Sequence, residues 1–323
     1  MSVYGFKRID NLPEYMNFSY SFNVLTVFAV VTATYSLFSF GVNLKMILFY
    51  AKNRHSDAMK NSLRPDVLRL FLLMQLWNAF HVLLDFMVVR IPLTSAFTSF
   101  CAWSKPDLFL SILSLLFTGC VYTCHLLTLL FCILRVALLY AVEYQKETVS
   151  KIFNVLVPLL ILLGHSLGVP QFLIADSSCF QMADPFPFGA VVITSVSGQS
   201  GMVSQTSGSS RDIILKSTYA IVYVICTQTT VILLVISTIL MFAKLQEKRK
   251  SSSELHRKYS SKAEKTLTAT MILMVLPVVM PEVLSLVDIF DYTYYSYLFL
   301  LRVVCLDARR NLPQQRLAGP AEN

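Results

Sequence analysis

Apolar runs of twenty residues or more recur along this sequence, and no other feature restricts its fold as much. A bilayer core about 30 Å thick takes about 20 residues at 1.5 Å rise each, because in lipid every backbone N–H and C=O must find its partner inside the helix. Six stretches meet that length: Phe22–Tyr50, Val67–Val89, Asp107–Tyr140, Ile152–Ile174, Ile213–Ala243 and Thr266–Phe290. A seventh run, Tyr292–Leu306, has fifteen residues and contains Arg302, which is too short to cross comfortably. Composition agrees, since 55% of residues are hydrophobic and only 14% charged, against roughly a quarter charged in a soluble domain. The expected fold is an all-α, multi-pass transmembrane helical bundle with a short seventh helix, whose largest partner is the lipid bilayer. Its parts are an outer amino-terminal segment (1–21), a membrane domain (22–306) and a polar tail (307–323). Within the membrane domain lie a long outer loop (175–212) and a basic inner loop (244–265).

Loop charge sets the orientation, because cytoplasmic loops retain Lys and Arg. The loops after spans one, three and five carry fifteen, eight of them between Lys244 and Lys265, while the other side carries five: Lys7, Arg8, Arg90, Lys105 and Arg211. The amino terminus is therefore expected outside, where the sequon Asn17-Phe18-Ser19 could accept a glycan. Lys7 and Arg8 lead into a polar stretch rather than an apolar signal core, so span one is expected to direct insertion. The net charge of +8 sits in these short loops, which argues against a nucleic-acid partner. Ser195–Ser210 is rich in Gly and Ser and is expected to be mobile.

Polar residues inside spans usually face the bundle interior or a watered cavity. In span two, Gln75, Asn78, His81 and Asp85 recur on one helical face. Span three has Ser111, Ser114, Thr118, Tyr122, His125 and Thr128, and span five has Tyr219, Tyr223, Cys226, Thr230 and Ser237. Deep in the bundle the plainer role holds, hydrogen bonding between helices at about 0.6 kcal/mol per pair. In the outer half, His81, Asp85, Ser111, Ser114, Tyr219 and Tyr223 are candidates to line a small-molecule pocket. Glu282 lies at the same level of span six, where Pro277 and Pro281 remove two backbone donors and should kink the helix. Arg135, at the inner end of span three, suits either a cytoplasmic partner or a plain interfacial anchor.

Of seven cysteines, only Cys101 and Cys179 fall on the outer, oxidising side. A disulfide between them is permitted and would tie the long loop to the top of span three; two free thiols are the alternative, since spacing cannot establish pairing. No metal-ligand spacing, cofactor motif, phosphate-binding glycine loop or nucleophile elbow is present, so neither an enzyme nor a cofactor protein is expected.

Four segments, in order, resemble the nematode serpentine receptor class U (Sru) family. They are Pro13-Glu14-Tyr15-Met16-Asn17-Phe18; Leu70–Leu108, with Asp85-Phe86, Arg90-Ile91-Pro92, Thr94, Thr98 and Cys101-Ala102; Pro185-Phe186-Pro187-Phe188-Gly189-Ala190; and Lys262–Thr268. The resemblance implies a seven-helix, G-protein-coupled chemosensory receptor in the plasma membrane, in sensory cilia of chemosensory neurons. Its partners would be a small odorant or tastant and a heterotrimeric G protein. The last helix departs from the family pattern, because Leu301-Arg302 is followed by Val303 and Arg309–Asn323 is polar. Arg135 has no acidic residue before it, so no ionic-lock role carries over. A transporter or channel is the alternative, and it predicts repeated halves with paired broken helices, which the sequence lacks. A truncated receptor that no longer signals is another.

Overall fold

The computed structural model describes residues 6–53, 65–103, 107–140, 146–174, 177–195, 225, 228–244 and 246–247. Expected spans six and seven, Tyr219, Tyr223 and Glu282, the Gly/Ser stretch after Ser195 and nearly all of the basic loop and tail lie outside them.

Among the described residues, four helices are long and apolar enough to cross a membrane. The first, α2 (Val24–Asn53), follows a short strand β1 (Phe6–Arg8) and one helical turn α1 (Pro13–Met16). Asn23 caps α2: its Oδ1 accepts the Thr26 N–H at 3.0 Å, satisfying a donor that the first helical turn leaves free. The Asn23 amide also donates to Thr94 O at 3.4 Å, tying the start of span one to the end of span two.

Span two is built from three pieces. Helix α3 (Pro65–Asp85) runs into a π-helical turn, Phe86–Arg90, and then into α4 (Ile91–Leu93). The sequence expectation closed this span at Val89; the observed apolar helix continues to Leu93 because Arg90 is buried instead of ending the run. A short helix α5 (Thr98–Trp103) leads to α6 (Asp107–Tyr140), whose bounds coincide with the expected span three. At 1.5 Å per residue it is about 51 Å long, enough to cross and project on both sides. It is also the most buried of the four long described helices, with 56% of its most apolar stretch buried against 6% for α2.

Helix α7 (Lys146–Ser166) keeps Pro158 inside it, and after a two-residue break the chain continues as α8 (Val169–Ile174). Span four therefore starts earlier than the expected Ile152 and is broken at Leu167-Gly168. It crosses α6 very closely. A methyl on Gly164 would lie 2.3 Å from Thr123 Oγ1 and 2.9 Å from its Cα, and one on Gly119 would lie 3.1 Å from His165 Cδ2. Only glycine permits this approach, which replaces the hydrophobic driving force that lipid cannot supply.

Helix α9 (Gln228–Lys244) is the described part of span five and buries Val231, Leu234, Ser237 and Met241, one face at helical spacing. Leu234 and Met241 join an apolar core with Leu70, Met74, Leu127 and Leu134. The expected inner stripes do point inward: Gln75, His81, Asp85, Ser114, Tyr122, His125 and Thr128 are all buried.

The sequence held no expectation of the second core. It lies at the other end of the bundle, where β1, β2 (Ser177–Met182) and β3 (Val191–Ser195) form an antiparallel sheet in the order β1-β2-β3. Phe6 pairs with Met182 and Gln181 with Val191. The fold remains helical, and this small sheet caps one end of it.

Candidate functional site

The cap joins segments far apart in sequence. Ile9 N–H donates to Cys179 O at 3.3 Å and Asn11 N–H to Ala102 O at 3.1 Å. Trp103 Nε1–H donates to Met16 O at 2.9 Å. Tyr15, 2% exposed, stacks on Phe188 with ring centroids 4.7 Å apart. Its burial pushes the phenol pKa up from the ordinary value, while Lys7, hydrogen-bonded to Glu14, is also raised.

Cys101 and Cys179 are bonded, with Cα atoms 5.9 Å apart and both residues buried. The bridge joins α5 to the middle strand of the sheet. Beside it, the fully buried Thr98 hydroxyl donates to the Gly189 carbonyl. Gly189 has φ +90, and a Cβ there would lie 2.5 Å from the Phe18 ring, so both backbone and space require glycine. Its N–H donates to Gln181 Oε1 at 2.7 Å, closing the β2–β3 turn.

Beneath the cap, Arg90 Nε–H donates to Asp85 Oδ2 at 2.6 Å, both side chains being 2% exposed. The guanidinium also lies 5.2 Å from the Phe86 ring centre. The π-turn brings this pair together. Residues five apart sit about 140° apart around an α-helix, but the wider π-turn returns residue 90 to nearly the same side as residue 85. Arg90, counted from sequence among the outer loop charges, is thus an interior partner of Asp85.

His81 is buried one turn deeper, its ring 5.4 Å from that of Phe117 on α6. Phe117 in turn is about one turn deeper than Ser114, which is buried, so Asp85 and Ser114 stand at similar depth on facing helices. Ser111 is half-buried and nearer the cap. His81, Asp85 and Ser114 are thus all buried in the half of the bundle nearer the cap, and Asp85 has a cationic neighbour. Tyr219, Tyr223 and Glu282, the other pocket candidates, lie outside the described residues. No group of three or more metal-ligating side chains occurs among the described residues.

Arg135 is at the opposite end, its guanidinium 5.9 Å from the Phe131 ring. Nearby in the same inner region, Lys244 lies 5.0 Å from the Tyr140 ring and 2.7 Å from Glu247, so spans three and five meet there. Asn17, the sequon residue, is exposed at the end of α1.

A family model described as serpentine type 7TM GPCR chemoreceptor Sru matches residues 9–313. The chain belongs to this family. The match includes Tyr292–Leu306 and runs into the polar tail, past the point at Val303 where the last helix departs from the family pattern. A Caenorhabditis elegans protein, serpentine receptor class U-26, is 24% identical over 188 residues, which is 57% of this chain and 62% of that protein. The aligned part therefore spans less than two thirds of that relative's length. Three of the four sequence segments that resemble the Sru family meet in the cap: Tyr15 and Phe18 from the first, Thr98 and Cys101 from the second, and Phe188-Gly189 from the third. The fourth, Lys262–Thr268, lies outside the described residues. Sequence reasoning missed Arg90 as a partner, because five-residue spacing is not a helical neighbour spacing. It also missed Gly164, although Gly164-His165-Ser166-Leu167-Gly168 carries the glycine spacing typical of close membrane-helix contacts.

Proposed function

We propose that this serpentine receptor is a G-protein-coupled chemosensory receptor of the plasma membrane, in sensory cilia, with its amino terminus and cap outside. The observation that carries the reading is the family match across residues 9–313. A small odorant or tastant binds under the cap, between spans two and three and the outer parts of spans five and six. His81, Ser111, Ser114, Tyr219, Tyr223 and Glu282 are the polar contacts. Asp85 acts there as half of a neutral pair with Arg90, which favours uncharged or weakly polar ligands over cations, because a bare carboxylate is what a cation would need.

The inner face couples to a heterotrimeric G protein through Arg135 and the basic 244–265 loop. Lys244 against Tyr140 supports this, since it sets the start of that loop beside the inner end of span three. The orientation is supported by the loop charge and by the exposure of Asn17. Cells expressing the chain should answer members of an odorant panel with a calcium rise that disappears on G-protein block. Asn17→Gln should remove a glycosidase-sensitive mobility shift. Silence across the panel from receptor that reaches the surface would count against the receptor reading, and a protease-protected amino terminus would reverse the topology.

A further inference from the structure

We propose that the cap is a membrane-interface element: the outward side of helix α5, led by Trp103 and Phe100, rests in the head-group region of the leaflet on the cap's side. Its partner is phospholipid. The inference is independent of which side of the membrane that leaflet faces.

The distribution of residues on α5 carries the argument. Thr98, Cys101 and Ala102 point into the protein and are at most 1% exposed. The large apolar groups point out instead, with Phe100 at 46% and Trp103 at 68% exposed. They are three residues apart and so share one face. A helix bathed in water on its outer side has the opposite arrangement.

Trp103 is not a loose side chain, because its indole N–H is committed to Met16 O at 2.9 Å. The hydrogen bond fixes the ring and satisfies its one polar group inside the cap, leaving the apolar remainder outward. Tryptophan is enriched at the membrane interface because its ring combines an apolar body with a polar edge.

Large apolar side chains are also exposed at the nearby ends of two spans. Five residues beyond Trp103, Leu108 and Phe109 open α6 with 68% and 52% exposure, and Phe22 just before α2 is 72% exposed. These are the ends of two helices long enough to cross the bilayer. Exposed apolar side chains on α5 and at both neighbouring span ends fit a lipid surface on the cap's side rather than an isolated protein docking patch. Among the described residues of the cap, the cations Lys7 and Arg8 are paired, with Glu14 and Asp10.

The chain has two tryptophans, Trp77 and Trp103, which makes the test direct. The full-length protein and its Trp77→Phe variant, in which Trp103 is the sole indole, are placed in nanodiscs of plain or brominated phosphatidylcholine. Bromine is carried either near the head group or near the chain ends, and iodide serves as the aqueous quencher. The proposal predicts blue-shifted Trp103 emission, strong loss with head-group-proximal bromine, smaller loss with deep bromine, and weak iodide quenching. The difference between wild type and Trp103→Phe gives the same answer should Trp77→Phe fold poorly. Strong iodide quenching without bromine quenching would overturn the proposal in favour of a water-facing cap. Protection from both quenchers would overturn it in favour of a protein cover, either a second copy or another part of this chain.

Discussion

The cap and the membrane bundle are held together in different ways. In the cap, segments from residues 6 to 195 are joined by strand pairing, a disulfide and side-chain to backbone hydrogen bonds, above a buried ion pair at the end of span two. In the bundle, α6 and α7 are joined by the absence of side chains, with Gly164 and Gly119 letting backbones approach within the width of one methyl group. The contrast follows from the surroundings. Helices in lipid satisfy their own backbone groups and gain little from apolar burial alone, so tight packing decides their contacts. The irregular cap backbone must find partners elsewhere in the chain, so polar and covalent links decide there.

The largest predicted effect breaks the ion pair on one side only. Asp85→Ala should destabilise the protein by about 3–5 kcal/mol, because it leaves the Arg90 guanidinium buried without its carboxylate. Asp85→Leu combined with Arg90→Met should recover most of that loss. Thermal unfolding of detergent-solubilised protein reads both, and equal damage from the single and double changes would mean that the pair is not the unit. Cys101→Ser comes next, at about 2–4 kcal/mol. The same loss should appear when reductant is added to wild type and not when it is added to the variant.

Gly164→Ala probes the bundle and should cost about 1–3 kcal/mol through overpacking. Adding Thr123→Ala should relieve only part of it, since Thr123 Cα and N would still be 2.9 Å from the new methyl. Complete rescue would show that the helices are held less tightly than the cap comparison requires. The smallest effect is expected at the rim of the cap: Lys7→Ala removes an exposed pair with Glu14 and should shift stability by less than about 1 kcal/mol.

The same contrast explains what the sequence made legible. Spans are written in run length, and Asp107–Tyr140 was bounded at the observed residues because lipid demands long uninterrupted helices. The inward stripes through His81, Asp85 and Ser114 were readable from the 3.6-residue period. The cap was not. Its strands are three, six and five residues long, and the partners Phe6 and Met182 are distant in sequence, so no local period announces them. The π-turn was invisible for a related reason, since Asp85 and Arg90 become neighbours only after the helix has widened. That left Asp85 among the ligand contacts and Arg90 among the loop charges, whereas the structure joins them.

The measurement that most directly tests the account compares agonist dose–response in wild type with Ser114→Val and His81→Gln, at matched surface levels and with Lys7→Ala as the control. The account predicts that both buried substitutions raise the half-maximal concentration at least about tenfold, which corresponds to about 1.4 kcal/mol of binding, while Lys7→Ala leaves it unchanged. Unaltered responses in both variants, with sensitivity moving instead at Lys7, would contradict a ligand site beneath the cap.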